Sequence, residues 1–301
     1  MANTNTTITE SMLQDEVLPA LKLGLLPLNA FSLKTVATPV SVGDSVTVPI
    51  VSAKTAGAYS STFESGDTTT TGTAVTMTAP RFSSWYINPN LEAGSTTERF
   101  LAMGREAAYA VAKDVLQLAL APIVEANVGA TAADESVITA ANYDLDDQAD
   151  MWAKLAAKGV ASNYSVIHNI AYAAALMKDA GLQDASAYGS NQLMSTGSLP
   201  NIFGAQQFYT DAFPSAVTSQ NTTVIFTGKE TVAIALGVPA DINGIDSVAG
   251  ERRMLVTDPD TGLQFVWREW KNTATGAYWG SVYVMSGVSF LRDAAVRIVS
   301  A

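Results

Sequence analysis

The chain has 301 residues and a net charge of −11, a balance that repels nucleic acid at long range and speaks against sequence-specific DNA binding. It contains no cysteine, which excludes disulfides, thiolate metal sites and a cysteine nucleophile. Hydrophobic residues make up 48% and charged residues 15%, enough for a packed core beneath a neutral, Ala-, Thr-, Ser- and Asn-rich surface that suits burial against other subunits.

The opening MANTNTTITESML has neither the basic nor the apolar region of a secretory signal, and no apolar run is long enough to span a bilayer. The expectation is folding in a cytoplasm without a membrane partner. Residues 1–9 read as extended or disordered. Glu10 to Leu23 reads as a short amphipathic helix with Met12, Leu13, Val17, Leu18 and Leu21 on one side. Pro19 bends it or marks its start, and Gly24 and Pro27 stop it. Few apolar partners lie near it in sequence, so it is expected to dock elsewhere, on another subunit.

Val42 to Asn90 reads as a long arm rich in Thr, Ser and Gly. Asp44 to Ala53 alternates as a strand with Val46, Val48 and Ile50 on one face, and Pro49 favours an edge position. Residues 54–73 form a polar tip, longer than ordinary hairpin loops. Ala74 to Ala79 returns as a second strand, and Arg81 to Ile87 is a third, with Phe82, Trp85 and Tyr86. So polar an excursion has too few apolar residues to offset the entropy of ordering it alone. It is therefore expected to lie on a neighbouring subunit through Val46, Val48, Ile50, Lys54, Tyr59, Phe63, Val75 and Met77. Lys54 is read as a solvated lysine rather than a covalent crosslink.

Ser95 and Glu98 form a capping box ahead of a long helix from about Thr96 to Val128. Its stripe is Phe100, Leu101, Met103, Ala107, Ala108, Val111, Val115, Leu118 and Ile123, and Pro122 bends or ends it. Leu145 to Lys158 is a helix capped by Asp144. Tyr164 to Asn169 is a buried strand and Ile170 to Ala180 a further helix. Asn201 to Thr210 contains a strand, Thr222 to Thr227 is a core strand, and Glu230 to Leu236 reads as a short helix. Strands follow at Arg252–Thr257, Leu263–Trp270 and Ala277–Ser286, with a last one inside Phe290–Val299. Helices and strands alternate without βαβ regularity, which is the α+β class.

No constellation reaches the threshold for an active site. His168, the sole histidine, ends an apolar strand without a nucleophile elbow and reads as structural. The acidic groups Asp144–Asp146–Asp147–Asp150 read as a helix N-terminus, and DPDTG at 258–262 as a turn. TGKET at 227–231 lacks the upstream glycine of a phosphate loop. Trp267, Trp270, Tyr278 and Trp279 make an aromatic-rich hairpin, read as packing. The expectation is a protein with no catalytic residues, cofactor or metal.

The order of these segments resembles the major capsid proteins of tailed bacteriophages with the Hong Kong 97-type fold. The resemblance rests on VGDSVTVPIVSA and TAVTMTAPRFSSWYINP bounding the arm and on TTERFLAMGREAAYAVAKDVLQLAL as a spine helix. SVIHNIAYAAALMKDAG, NIFGAQQFYTDAFP, TTVIFTGKETVAIALGVP and YWGSVYVMSGVSFLRDAAVRIVS follow in the family's order. It implies an N-terminal arm (1–35), an extended β-hairpin loop (36–93), a peripheral domain with the spine helix (94–135 and 265–301) and an axial domain (136–264). It further implies self-assembly into hexamers and pentamers of an icosahedral head enclosing double-stranded DNA, in a virion assembled in the host cytoplasm. Scaffolding, portal and decoration proteins are the other partners the family suggests. The alternative from another class is an encapsulin-like nanocompartment shell.

Overall fold

The computed structural model describes residues 8–36, 38–51, 70–88, 97–128, 134–160, 162–183, 199–213, 221–240 and 251–301. Lys54, Tyr59, Phe63 and the capping residue Ser95 lie outside the described residues.

The N-terminal segment folds as α1 (Glu10–Glu16), α2 (Leu18–Leu25) and a 3-10 turn at Leu26–Ala30. Pro19 sits in the first turn of α2, where its missing N–H would have had no partner anyway, so it marks a start. Gly24 does not stop the helix. It lies inside α2, and a Cβ there would stand 2.5 Å from the Cβ of Ala112, so it is the contact that lets two helices touch. Nor is this segment left for another subunit. Leu13, Val17 and Leu21 are fully buried within the chain itself. Gln14 Nε2 donates to the Thr257 carbonyl at 3.1 Å, and Lys22 pairs with Asp258 at 2.8 Å. The partners missing nearby in sequence come from the helix that carries Ala112 and from Thr257 and Asp258 in the chain's second half.

The spine helix α3 (Thr97–Leu120) stops earlier than its apolar stripe suggests, and a separate turn α4 (Glu125–Val128) follows. Pro122 has no N–H to continue the helical ladder. The predicted face is the buried one, including Phe100, Ala108, Val111 and Val115.

A first sheet receives this helix. Its strands are β1 (Ser32–Thr35), β4 (Arg81–Ile87), β9 (Val232–Gly237), β10 (Arg252–Thr257), β11 (Gln264–Lys271) and β12 (Tyr278–Phe290). They run in the order β1-β9-β12-β11-β10, with β4 also on β12. The long β12 pairs through Tyr278–Val284 with β4 and through Met285–Phe290 with β9. Beneath α3, Trp85, Phe100 and Trp267 form a ring cluster with centroids 5.0 to 5.9 Å apart. Gly104 makes room for it, because a Cβ there would lie 2.6 Å from the Trp267 ring.

The segment expected as a helix at Glu230–Leu236 is strand β9 instead, with all six residues buried. An apolar run with no polar face suits a strand covered on both sides better than an amphipathic helix.

The second sheet is β5 (Glu135–Val137), β13 (Ala295–Val299), β8 (Thr222–Gly228), β6 (Tyr164–Asn169) and β7 (Gln206–Thr210), in that order. Helices α5 (Leu145–Ala157) and α6 (Ile170–Leu176) cover one face, burying Met151, Leu155 and Leu176 against Val166, Val224 and Phe226. The other face gives Ile167, Phe208 and Ile225 to the main core. Asp144 caps α5 in a reciprocal box with Asp147. A last short helix, α7 (Ala180–Gln183), follows α6.

The two sheets interleave along the chain. Strands β9 and β10 belong with β11 and β12, whereas β13 returns to the second sheet. Pairing joins strands by tertiary position rather than by their order in the sequence.

Candidate assembly interface

The arm is a hairpin of β2 (Ser45–Val51) and β3 (Thr70–Thr76), antiparallel with Val46 opposite Val75 and Val48 opposite Thr73. It forms a separate two-stranded sheet. Val46, Val48 and Ile50 are half-buried and alternate with exposed Thr47 and Pro49, the pattern of a ribbon with one apolar face. Such a ribbon is marginal by itself in water.

Its base is held by its own subunit. Met77 bridges to Gly287, and the Thr78 N–H and hydroxyl donate to the Ser286 carbonyl at 2.9 and 2.7 Å. Val75 and Met77, expected at the contact with a neighbour, are fully buried against Val40, Ala233, Ala235 and Met285. The first sheet supplies the apolar floor that the arm's own sequence lacks. Of the described arm residues singled out, Val46, Val48 and Ile50 keep accessible surface.

An aromatic surface adjoins the arm where β3 runs into β4. Phe82 is 70% and Tyr86 56% exposed, whereas Trp85 and Ile87 between and beyond them point into the core. Tyr86 stacks on Trp279 at 4.8 Å and Trp279 on Trp270 at 5.9 Å, a row running across β4, β12 and β11. Sequence reading grouped Phe82, Trp85 and Tyr86 together. The period-two alternation of RFSSWYI was the signal that separates the outward pair from Trp85.

Four buried titratable groups among the described residues are held by packing and hydrogen bonds. His168 is fully buried, with Nε2 donating to Gln207 Oε1 at 2.7 Å and Nδ1 3.5 Å from the Tyr143 hydroxyl. Burial lowers its pKa to about 4 against the opposing bond from Gln207. Burial likewise raises Tyr143, although Gln148 donates to its hydroxyl at 3.0 Å. Burial would raise Asp258 too, but hydrogen bonds from Lys22, Thr261 and the Asp260 backbone hold it below its ordinary range. Glu269, buried beneath Trp267, is raised by burial despite bonds from Trp267 and Arg252. Each group is tied to packing partners. Among the described residues no three His, Asp or Glu side chains converge as metal ligands, and no helix is long and apolar enough to cross a membrane.

The same architecture recurs in solved structures. The mature capsid of bacteriophage PhiM1 aligns at TM-score 0.55 and 11% identity, over 90% of this chain and 86% of that one. The capsid of Ralstonia phage GP4 aligns at 0.55 and 13%, again over 90% and 86%. The capsid of a native GTA particle aligns at 0.52 and 14%, over 99% of both chains. This chain has a phage capsid fold. No family model and no curated protein matches the sequence, so the likeness is one of backbone arrangement rather than of residues.

Proposed function

We propose that this chain is a major capsid protein of a tailed phage, assembling into hexamers and pentamers of a Hong Kong 97-type icosahedral shell around double-stranded DNA. The observation that carries the reading is likeness to capsid chains over about nine-tenths of this chain's length. The arm supports it independently: a two-stranded ribbon with a half-buried apolar face gains most by lying on another surface. In this reading Val46, Val48 and Ile50, with Lys54, Tyr59 and Phe63 beyond them, rest on the adjacent subunit, while Val75 and Met77 anchor the arm at home. The charge of −11 suits a container that encloses DNA without gripping it.

Negative-stain electron microscopy of the purified chain, run beside size exclusion, tests the proposal. Closed, roughly isometric shells are expected, alone or with the neighbouring phage genes co-expressed. A protein that stays monomeric under both conditions would overturn it.

A further inference from the structure

Among the described residues three strands of the first sheet have one side unpaired. β1 and β10 close its ends, and β4 pairs with β12 alone. β1 carries Lys34, and β10 carries Arg252 and Arg253. Charges of that kind keep an open edge from pairing with another chain. β4 is guarded differently. Its seven residues hold one charge, Arg81 at the first position, and Asp114 takes that up at 3.3 Å. The strand contains no proline, and its register with β12 runs unbroken from Arg81 to Ile87. A regular strand with one row of N–H and C=O groups unpaired is a template for a further strand.

The side chains of β4 point to what that strand is. Phe82, Ser84 and Tyr86 are exposed and alternate with Ser83, Trp85 and Ile87 on the inner face. The exposed pattern, aromatic–serine–aromatic, reads the same in both directions. Two copies of β4 laid antiparallel about Ser84 put Phe82 of each opposite Tyr86 of the other, and Ser84 opposite its own counterpart. Aromatic side chains opposed across antiparallel strands attract one another. Charge fits as well. Arg81 falls opposite Ile87 of the second copy, so the two Arg81 side chains stand at opposite ends of the pair. No like charges meet along this strip, although each chain carries a net −11. β4 also follows directly on β3 of the arm, so its edge continues the candidate assembly interface.

We propose that β4 pairs with β4 of a second copy across a two-fold axis at Ser84, joining the first sheets of two subunits into one continuous sheet. A patch that matches itself under a two-fold rotation closes the contact after two copies, so the edge is used up rather than extended into a fibre. The pairing satisfies the open backbone row and covers Phe82, which is 70% exposed in the single chain. That the partner is a second copy rests on the self-assembly proposed above; the strand and its register go beyond it.

The chain has no cysteine of its own, so Ser84→Cys places a single thiol at the axis. Opposed residues of an antiparallel pair stand about 4.5–5.5 Å apart at Cα, a separation that a disulfide spans. The full chain carrying Ser84→Cys, oxidised with diamide and run on a non-reducing gel, is expected to give about tenfold more covalent dimer than one carrying Ala110→Cys, an exposed position on α3. In a mixed sample with one chain size-tagged, Phe82→Cys and Tyr86→Cys should couple to each other rather than to themselves. Dimer no more abundant than with Ala110→Cys overturns the pairing, and closed shells beside that result leave the capsid reading standing. Dimer without shells supports the pairing and counts against the capsid reading instead. Ser84→Cys that couples to Thr47→Cys, exposed on the arm, rather than to itself gives the edge to the arm and overturns the two-fold.

Discussion

His168 has no free ring nitrogen to offer a substrate: one bonds Gln207 and the other faces Tyr143. Its consequence is for stability. An unfolded histidine titrates near 6.5, whereas the folded one is lowered to about 4. Between these values the unfolded chain binds the extra proton, so stability falls as pH drops through that window and the loss is complete below it. The total is about 3 kcal/mol. We expect His168→Gln to lose about 3 kcal/mol less than the parent between pH 7 and pH 4, measured by urea unfolding at both values. Parallel losses in the two proteins would show that this histidine is not the titrating group. At the same scale, Val111 is 2% exposed in the main core, and an aspartate there would bury an unpaired carboxylate. Val111→Asp should abolish soluble protein, while Ala110→Asp on the exposed side of the same turn should not. Soluble, assembled Val111→Asp would mean that the buried face of the helix has been misassigned.

Helix α2 holds its place through close contact with α3 rather than through helix propensity. Replacing Gly24 by alanine would gain about 1 kcal/mol on propensity alone. Yet the new methyl would stand 2.5 Å from the Ala112 Cβ, and overpacking of that kind costs about 1–3 kcal/mol. Gly24→Ala is therefore expected to destabilise the chain in chemical denaturation, and adding Ala112→Gly should recover much of the loss by a positive coupling in the double-mutant cycle. A stabilised Gly24→Ala would mean that the helices do not approach as closely as described. The arm is the opposite kind of element. Its strands pair with each other and its base is anchored at Val75 and Met77, so its outer part adds little to the fold of its own subunit.

For the whole molecule this separation predicts a split between folding and assembly. Deleting residues 55–72 should leave a cooperatively folded subunit whose melting temperature stays within a few degrees of the parent, about 2–4 °C per kcal/mol at this chain length. Shell yield, counted by electron microscopy, should fall sharply. Normal shells from the deletion would remove the arm from the contact between subunits. The compact remainder rests on two sheets that share one apolar core, and this sharing is why the N-terminal helices dock at home.

The sequence by itself determined the local order of elements. Capping at Asp144, the stop at Pro122, the stripe of α3 and the alternation of β2 are written within a few residues of where they act, because caps, prolines and periodicity work over a turn or a pleat. It also carried the absence of a catalytic constellation as an expectation, since a single histidine and no cysteine leave few chemistries open. Tertiary structure decided what lies far apart in the chain. It turned Glu230–Leu236 from an expected helix into a central strand, because burial on both faces outweighs local preference. It claimed α1, α2, Val75 and Met77 for the subunit's own core, and it sent β13 back across to the second sheet. Those outcomes depend on which apolar surfaces meet after the chain has closed on itself, and no window of neighbouring residues contains that information.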